Sequence, residues 1–129
     1  MRDATKFGPG SLQTKTEYDE AQGSEDCLYL NVYSPAAAKD SAPIPVMVWH
    51  HGGGFVSGSG NAFYGAYLAR TANAVVVTVN YRLGPLGWLG LPSLAAEAPD
   101  HSTGNYGLLD YIAALKLSLI HISEPTRPY

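Results

Sequence analysis

The sequence predicts an α/β domain with a mostly parallel central sheet, and three observations carry that prediction. Two short runs of strand character, Val46 to His50 and Ala74 to Tyr81, bracket a stretch of helical spacing. An alternating run precedes them at Cys27 to Tyr33, and a helical pattern follows them at Tyr106 to Lys116. The resulting order of strand, loop, strand, glycine turn, helix and strand is the alternation from which parallel sheets are built.

Met1 to Ser24 shows no periodicity of either kind and reads as irregular chain approaching a strand. In Cys27 to Tyr33, Leu28, Leu30 and Val32 alternate with Tyr29, Asn31 and Tyr33, the period of a strand. Pro35 to Pro45 is a loop rich in Ala, Lys, Asp and Ser. Val46-Met47-Val48-Trp49-His50 is apolar enough for a strand buried on both faces, and it stops at Gly52-Gly53-Gly54. Ala62 to Ala72 carries Tyr64, Tyr67 and Leu68 at helical spacing, with Asn73 as the C-terminal stop. Ala74 to Tyr81 is rich in β-branched residues, the side chains that pack well on a pleated surface. Gly84-Pro85-Leu86-Gly87 ends it. The last helix places Leu108, Leu109, Ile112 and Leu115 on one helical stripe.

The 129 residues suffice for one domain with a modest core. A net charge of -3 offers no electrostatic attraction to nucleic acid, so a polyanionic partner is not expected. Ala74 to Val79 is too short to cross a bilayer, and Met1 to Lys6 lacks the apolar segment of a secretory signal. The compartment stays open between cytoplasm and secretion. The single cysteine, Cys27, has no intrachain partner.

The glycine triplet carries the chemistry. Each glycine costs roughly 0.5 to 1 kcal/mol of extra backbone entropy relative to alanine, a cost that a core strand has no reason to bear three times. What the triplet permits is close approach to the backbone: neighbouring N–H groups can meet one oxygen with no Cβ in the way, as in the oxyanion hole of acyl transfer. His51-Gly52-Gly53-Gly54 after a strand matches the form of that device used by α/β-hydrolases. A phosphate loop would need Lys and Ser or Thr after its last glycine, whereas Gly58 is followed by Ser59-Gly60. A dinucleotide fingerprint fails too, because Gly52, Gly54 and Gly58 leave a gap one residue too long. A tight strand-to-loop turn that touches no ligand remains compatible with the triplet alone.

Four blocks resemble the type-B carboxylesterases: Ser24 to Val32, Val46 to Gly60 with His51-Gly52-Gly53-Gly54-Phe55, Val79 to Gly87 with Asn80-Tyr81-Arg82-Leu83-Gly84, and Gly104 to Asp110. The resemblance runs from about Asp3 to Lys116. It implies a partial α/β-hydrolase fold truncated at both ends, from a serine enzyme that hydrolyses small carboxylic esters without a cofactor or metal. The family's oxyanion donors fall on the N–H groups of Gly53 and Gly54, and Phe55 falls at the substrate. Arg82 and Asp110 match a scaffold salt bridge, and Glu25 matches a residue paired with an upstream arginine. The nucleophilic serine of Gly-Glu-Ser-Ala-Gly, the acid and the histidine would all lie beyond Lys116. No Gly-x-Ser-x-Gly occurs in the chain, so the fragment itself is expected to be inactive. The family also includes adhesion proteins that keep the fold without the serine, which leaves a non-catalytic binding module, or a truncated reading frame without function, as alternatives.

The chain departs from the family at both ends. The segment Phe7-Gly8-Pro9-Gly10-Ser11-Leu12-Gln13 has serine where the family commonly has the cysteine that pairs with the counterpart of Cys27, so Cys27 is expected to be a free, buried thiol. Leu117 to Arg127 matches one reading frame of a transposase mosaic-end adaptor, so residues 117–129 are expected to be a non-native tail on a native segment, 1–116. Ser118, Ser123, His121 and Glu124 in that tail are too close together on one segment to make a triad. His50 and His51, adjacent on a strand, point to opposite faces and are expected in hydrogen-bonded structural roles rather than on a metal. Phe55, Phe63, Tyr64 and Tyr67 either line an approach to the ester or belong to the core, and His101 is expected in solvent.

Overall fold

A computed structural model describes residues 5–14, 20–36 and 43–118. It contains three strands, β1 (Leu30–Tyr33), β2 (Val46–His50) and β3 (Val75–Val79), in the spatial order β1-β3-β2. The helices are α1 (Ala66–Ala72), α2 (Gly84–Trp88), α3 (Pro92–Glu97) and α4 (Tyr106–Ser118). β3 is central, and all five of its residues are buried, in keeping with its run of valines.

β2 lies parallel to β3, with Val46 opposite Val75 and His50 opposite Val79. β1 runs antiparallel on the other side, Leu30 opposite Val79 and Tyr33 opposite Val76, a direction that the alternation of elements did not disclose. β2 is only half-buried and exposes 44% of Met47, rather than being buried on both faces. It borders the described sheet, so it has a strand neighbour on one side alone.

The two faces of the sheet are covered by different helices. Val75, Val77 and Val79 pack with Val46, Val48 and Ala114 of α4, while Val76 lies against Gly65 at the start of α1. Asn73 closes α1 in the left-handed conformation with φ 47°, as a C-terminal stop requires. The expected helix over 62–72 is shorter than its pattern: a one-turn 3-10 helix occupies Gly60–Ala62 and α1 begins at Ala66.

The azimuth of α4 leaves the leucine stripe exposed among the described residues. Gly107, Asp110, Ala114 and Ser118 face inward, whereas Leu108, Leu109, Ile112 and Leu115 are each at least 40% exposed. Close approach decides this. A Cβ at Gly107 would stand 2.8 Å from the Arg82 carbonyl oxygen and 2.9 Å from the Trp88 ring, so α4 must turn its small residues toward α2. Of the residues expected to form a non-native tail, Leu117 and Ser118 close α4; Ser123, His121 and Glu124 lie outside the described residues.

Because β2 and β3 are parallel and β1 opposes them, one end of the sheet collects the C-termini of β2 and β3 and the N-terminus of β1. The glycine turn, the Asn80–Gly87 segment and the N-terminal chain therefore meet there. In open α/β sheets ligands bind outside the carboxyl ends of the strands.

Candidate active site

Polar side chains fasten the N-terminal chain to this end of the sheet. The buried Asn80 amide donates to the Pro9 carbonyl (3.0 Å) and accepts the Gly60 N–H (2.7 Å). Asn61 donates to the Gly8 carbonyl, and Asn31 donates to Asn61 and to Thr78 of β3. The hydroxyl of Ser11, also buried, donates to the Tyr81 carbonyl. Irregular chain without a periodic pattern is thus fastened to the sheet by side-chain amides and a hydroxyl.

Beneath the glycines lies a cluster of aromatic rings. His51 stacks on Tyr81 at 4.3 Å, Tyr81 meets Tyr111 of α4 at 4.3 Å, and Tyr111 meets His50 edge-on at 4.1 Å. Phe55 lies 4.5 Å from Trp88 and also faces Tyr81. Trp49, on the opposite sheet face, stacks on Phe63 at 5.0 Å. Tyr64 and Tyr67 are 69% and 70% exposed and belong to no core.

The histidines differ from one another. His51 is buried, and its Nδ1 lies 2.8 Å from the Gly52 carbonyl oxygen. A carbonyl only accepts, so the proton of the neutral ring sits on Nδ1. Burial lowers the pKa of His51, partly opposed by that carbonyl contact. Burial also lowers His50, with a smaller contribution from charge on His51. The buried Nδ1 of His50 has no partner among the described residues, so ring packing on Tyr111 replaces the expected hydrogen bond there. Burial raises Tyr111 well above the usual phenol range, assisted by the Tyr81 hydroxyl. Among the described residues no group of His, Cys, Asp and Glu could hold a metal ion.

The turn itself is held in an unusual conformation. Gly53 has φ 120° and Gly54 φ 62°, and Phe55 follows at φ 65°, left-handed for a residue that carries a Cβ. The Gly53 carbonyl accepts from Val56 N (3.1 Å) and Ser57 N (3.2 Å), and the Phe55 carbonyl accepts from Gly84 N (2.7 Å). No described residue accepts from the N–H of Gly53 or Gly54, and both residues are exposed. The arrangement therefore offers adjacent backbone donors on a turn whose preceding residue, His51, stacks on Tyr81. Phe55 is half-exposed beside it.

The other expected residues sit away from the turn. Arg82 grips Asp110 with two hydrogen bonds, Nη2 to Oδ1 at 2.7 Å and Nε to Oδ2 at 2.9 Å, and its backbone N–H adds a third to Oδ2 at 3.0 Å. Asp110 is buried and the guanidinium also lies over the Tyr106 ring. Glu25 is exposed, and the ion pairs among the described residues do not include it. Cys27 is a buried free thiol, and it lines a cavity of about 300 Å³ together with Ser11, the residue at the family's cysteine position. Sequence reasoning did not single out Gln13, Gly58, Asn80 or Tyr81, which organise the site. Their signals, one amide, one glycine beyond the triplet and polar residues after a valine strand, gain meaning only from the contacts.

A profile of the carboxylesterase family matches residues 1–124. The chain is 48% identical over 128 residues to the fumonisin B1 esterase of Sphingopyxis macrogoltabida, covering 95% of this chain and 23% of that protein. It is 41% identical over 129 residues to the medium-chain fatty acyl-CoA hydrolase precursor of Anas platyrhynchos, covering 90% of this chain and 22% of the other. Among solved structures, a thermophilic PNB esterase superposes with a TM-score of 0.72 at 42% identity, over 88% of this chain and 24% of that one. The chain thus spans less than a quarter of the length of these relatives, and its three strands and flanking helices form part of the α/β-hydrolase fold. With the family profile matching nearly its whole length, this chain belongs to the carboxylesterase family.

Proposed function

We propose that the chain is the oxyanion-binding part of a serine carboxylic-ester hydrolase, with the N–H groups of Gly53 and Gly54 as two of the donors that hold the tetrahedral intermediate. The observation that carries this reading is the turn after β2, where positive φ at both glycines coincides with N–H groups that no described residue engages. In the corresponding acyl-enzyme route, serine attacks the ester carbonyl, histidine takes and returns the proton, and a carboxylate orients the histidine. Those three residues belong to a Gly-x-Ser-x-Gly elbow and later segments that this chain does not contain, so the 129 residues alone carry no triad. Phe55, half-exposed beside the donors, contacts the ester, and Arg82 with Asp110 serves the scaffold. The relatives are named for cleavage of an ester or an acyl thioester, which supports acyl transfer as the chemistry.

The test is to sequence the source DNA outward from the codons for Gly104 to Lys116, then express the complete frame and assay it on short-chain p-nitrophenyl esters. The expected result is a frame in which residues 117–129 give way to native sequence containing Gly-Glu-Ser-Ala-Gly, and an enzyme that cleaves esters. A frame that keeps Leu117 to Tyr129 and has no serine elbow would overturn the reading in favour of a binding module or a relic.

A further inference from the structure

Gln13 lies on the N-terminal chain, 45 residues from the loop it holds. Its amide binds both backbone groups of Gly58: Oε1 accepts the Gly58 N–H at 2.7 Å, and Nε2 donates to the Gly58 carbonyl at 2.8 Å. The backbone of Gln13 is in turn paired with Gln22, N to O at 2.9 Å and O from N at 2.7 Å, so the amide extends from a fixed base.

Gly58 occupies a place that no side chain could share. It has φ 115°, and a Cβ there would stand 2.2 Å from His51 Nδ1 and 2.5 Å from the Gly52 carbonyl oxygen. Its Cα therefore abuts both ends of the hydrogen bond from His51 Nδ1 to Gly52 O. That carbonyl belongs to the peptide whose nitrogen is Gly53 N. In a trans peptide the C=O and N–H point in opposite directions, so whatever fixes Gly52 O fixes the direction of the Gly53 N–H. Tyr81 secures the preceding peptide by donating from its hydroxyl to the His51 carbonyl at 3.0 Å.

We propose that Gln13 is a positioning residue for ester cleavage, acting through Gly58 and His51 to aim the Gly53 N–H; this rests on the oxyanion reading given above. Gln13 touches neither substrate nor the reacting atoms. Its part is to hold Gly58 against the His51–Gly52 hydrogen bond, so that the donor stays aimed at the oxyanion through turnover. An aim lost by a fraction of an ångström affects the transition state more than substrate binding, since only the former carries the full oxygen charge.

The experiment uses the complete enzyme with Gln13→Leu, which at similar volume removes both hydrogen bonds to Gly58 and the 3.1 Å bond from Nε2 to the Ser11 carbonyl, and Gln13→Glu, which keeps an acceptor and lacks a donor until protonated. Folded Gln13→Leu is expected to lose about tenfold or more in kcat on p-nitrophenyl acetate with KM within about twofold of wild type. For Gln13→Glu, kcat relative to wild type should climb as pH falls toward the ordinary Glu range near ~4.3, because the protonated carboxyl regains a donor for the Gly58 carbonyl. A merely structural Gln13 would lower thermal stability and leave kcat of the folded molecules and this pH-dependent ratio unchanged. Gly53→Ala in the same background separates the two claims. If it is crippling while folded Gln13→Leu turns over normally, the role of Gln13 is refuted and the oxyanion reading stands; if Gly53→Ala is silent as well, both fall.

Discussion

Gly53 and Gly54, though neighbours, should respond differently to the same added methyl group. At Gly53 an added Cβ would lie 2.0 Å from the Ser57 carbonyl oxygen and 2.7 Å from its carbon, about 1.4 Å short of ordinary contact. Relief requires opening the turn, which breaks the bonds from Val56 N and Ser57 N to the Gly53 carbonyl, each worth about 1 kcal/mol. Alternatively residue 53 leaves φ 120°, which turns its N–H away. Either route removes one oxyanion donor, so Gly53→Ala should cost about 2.7 to 4 kcal/mol of transition-state stabilisation, or about 10² to 10³ in kcat. At Gly54 a Cβ meets nothing within 4 Å, and only the left-handed φ of 62° opposes it. Gly54→Ala should therefore cost about 1 to 2 kcal/mol of stability while keeping the donor, with kcat within about threefold of wild type. The assay is steady-state hydrolysis of p-nitrophenyl acetate by the complete enzyme, with thermal unfolding followed by circular dichroism to separate folding from turnover. Folded Gly53→Ala with near wild-type kcat, or equal losses in the two variants, would refute the reasoning.

Two further outcomes follow from the scaffold and from the histidines. Arg82→Leu strands the buried Asp110 carboxylate and should lower unfolding free energy by about 3 kcal/mol, toward the smaller end for a buried pair because the Arg82 side chain is 36% exposed. Urea unfolding of the complete enzyme would measure it, and a loss below about 1 kcal/mol would show that the pair is dispensable. Burial depresses the pKa of both His50 and His51 in the folded state, so below about pH 6.5 the unfolded chain binds more protons than the native one. Their contribution to stability is complete above that pH and declines as pH falls toward the folded values. His50→Gln and His51→Asn should each flatten the dependence of Tm on pH between about 5 and 7 relative to wild type, and an unchanged slope would contradict neutral buried rings.

What the sequence determined by itself is local. The valine run of β3, the Asn73 stop and the strand-glycine succession at His51 to Gly54 are short-range patterns, legible because φ/ψ preference and periodicity are properties of neighbouring residues. The four family blocks extended this to the α/β-hydrolase fold. Tertiary structure decided the rest. The leucine stripe of α4 has sound helical spacing, yet the face turned to the described strands and α2 is the one with Gly107, Asp110 and Ala114, because only a residue without a Cβ fits against the Arg82 carbonyl and the Trp88 ring and Asp110 is held by Arg82. The antiparallel direction of β1 depends on where a loop leads, which no local pattern records. Gln13 and Gly58 are unremarkable in isolation, and the hydrogen bonds between them span 45 positions. Contacts of that range arise only once the sheet has gathered three chain segments at one end, which is why the motif could be read from the sequence and its support could not.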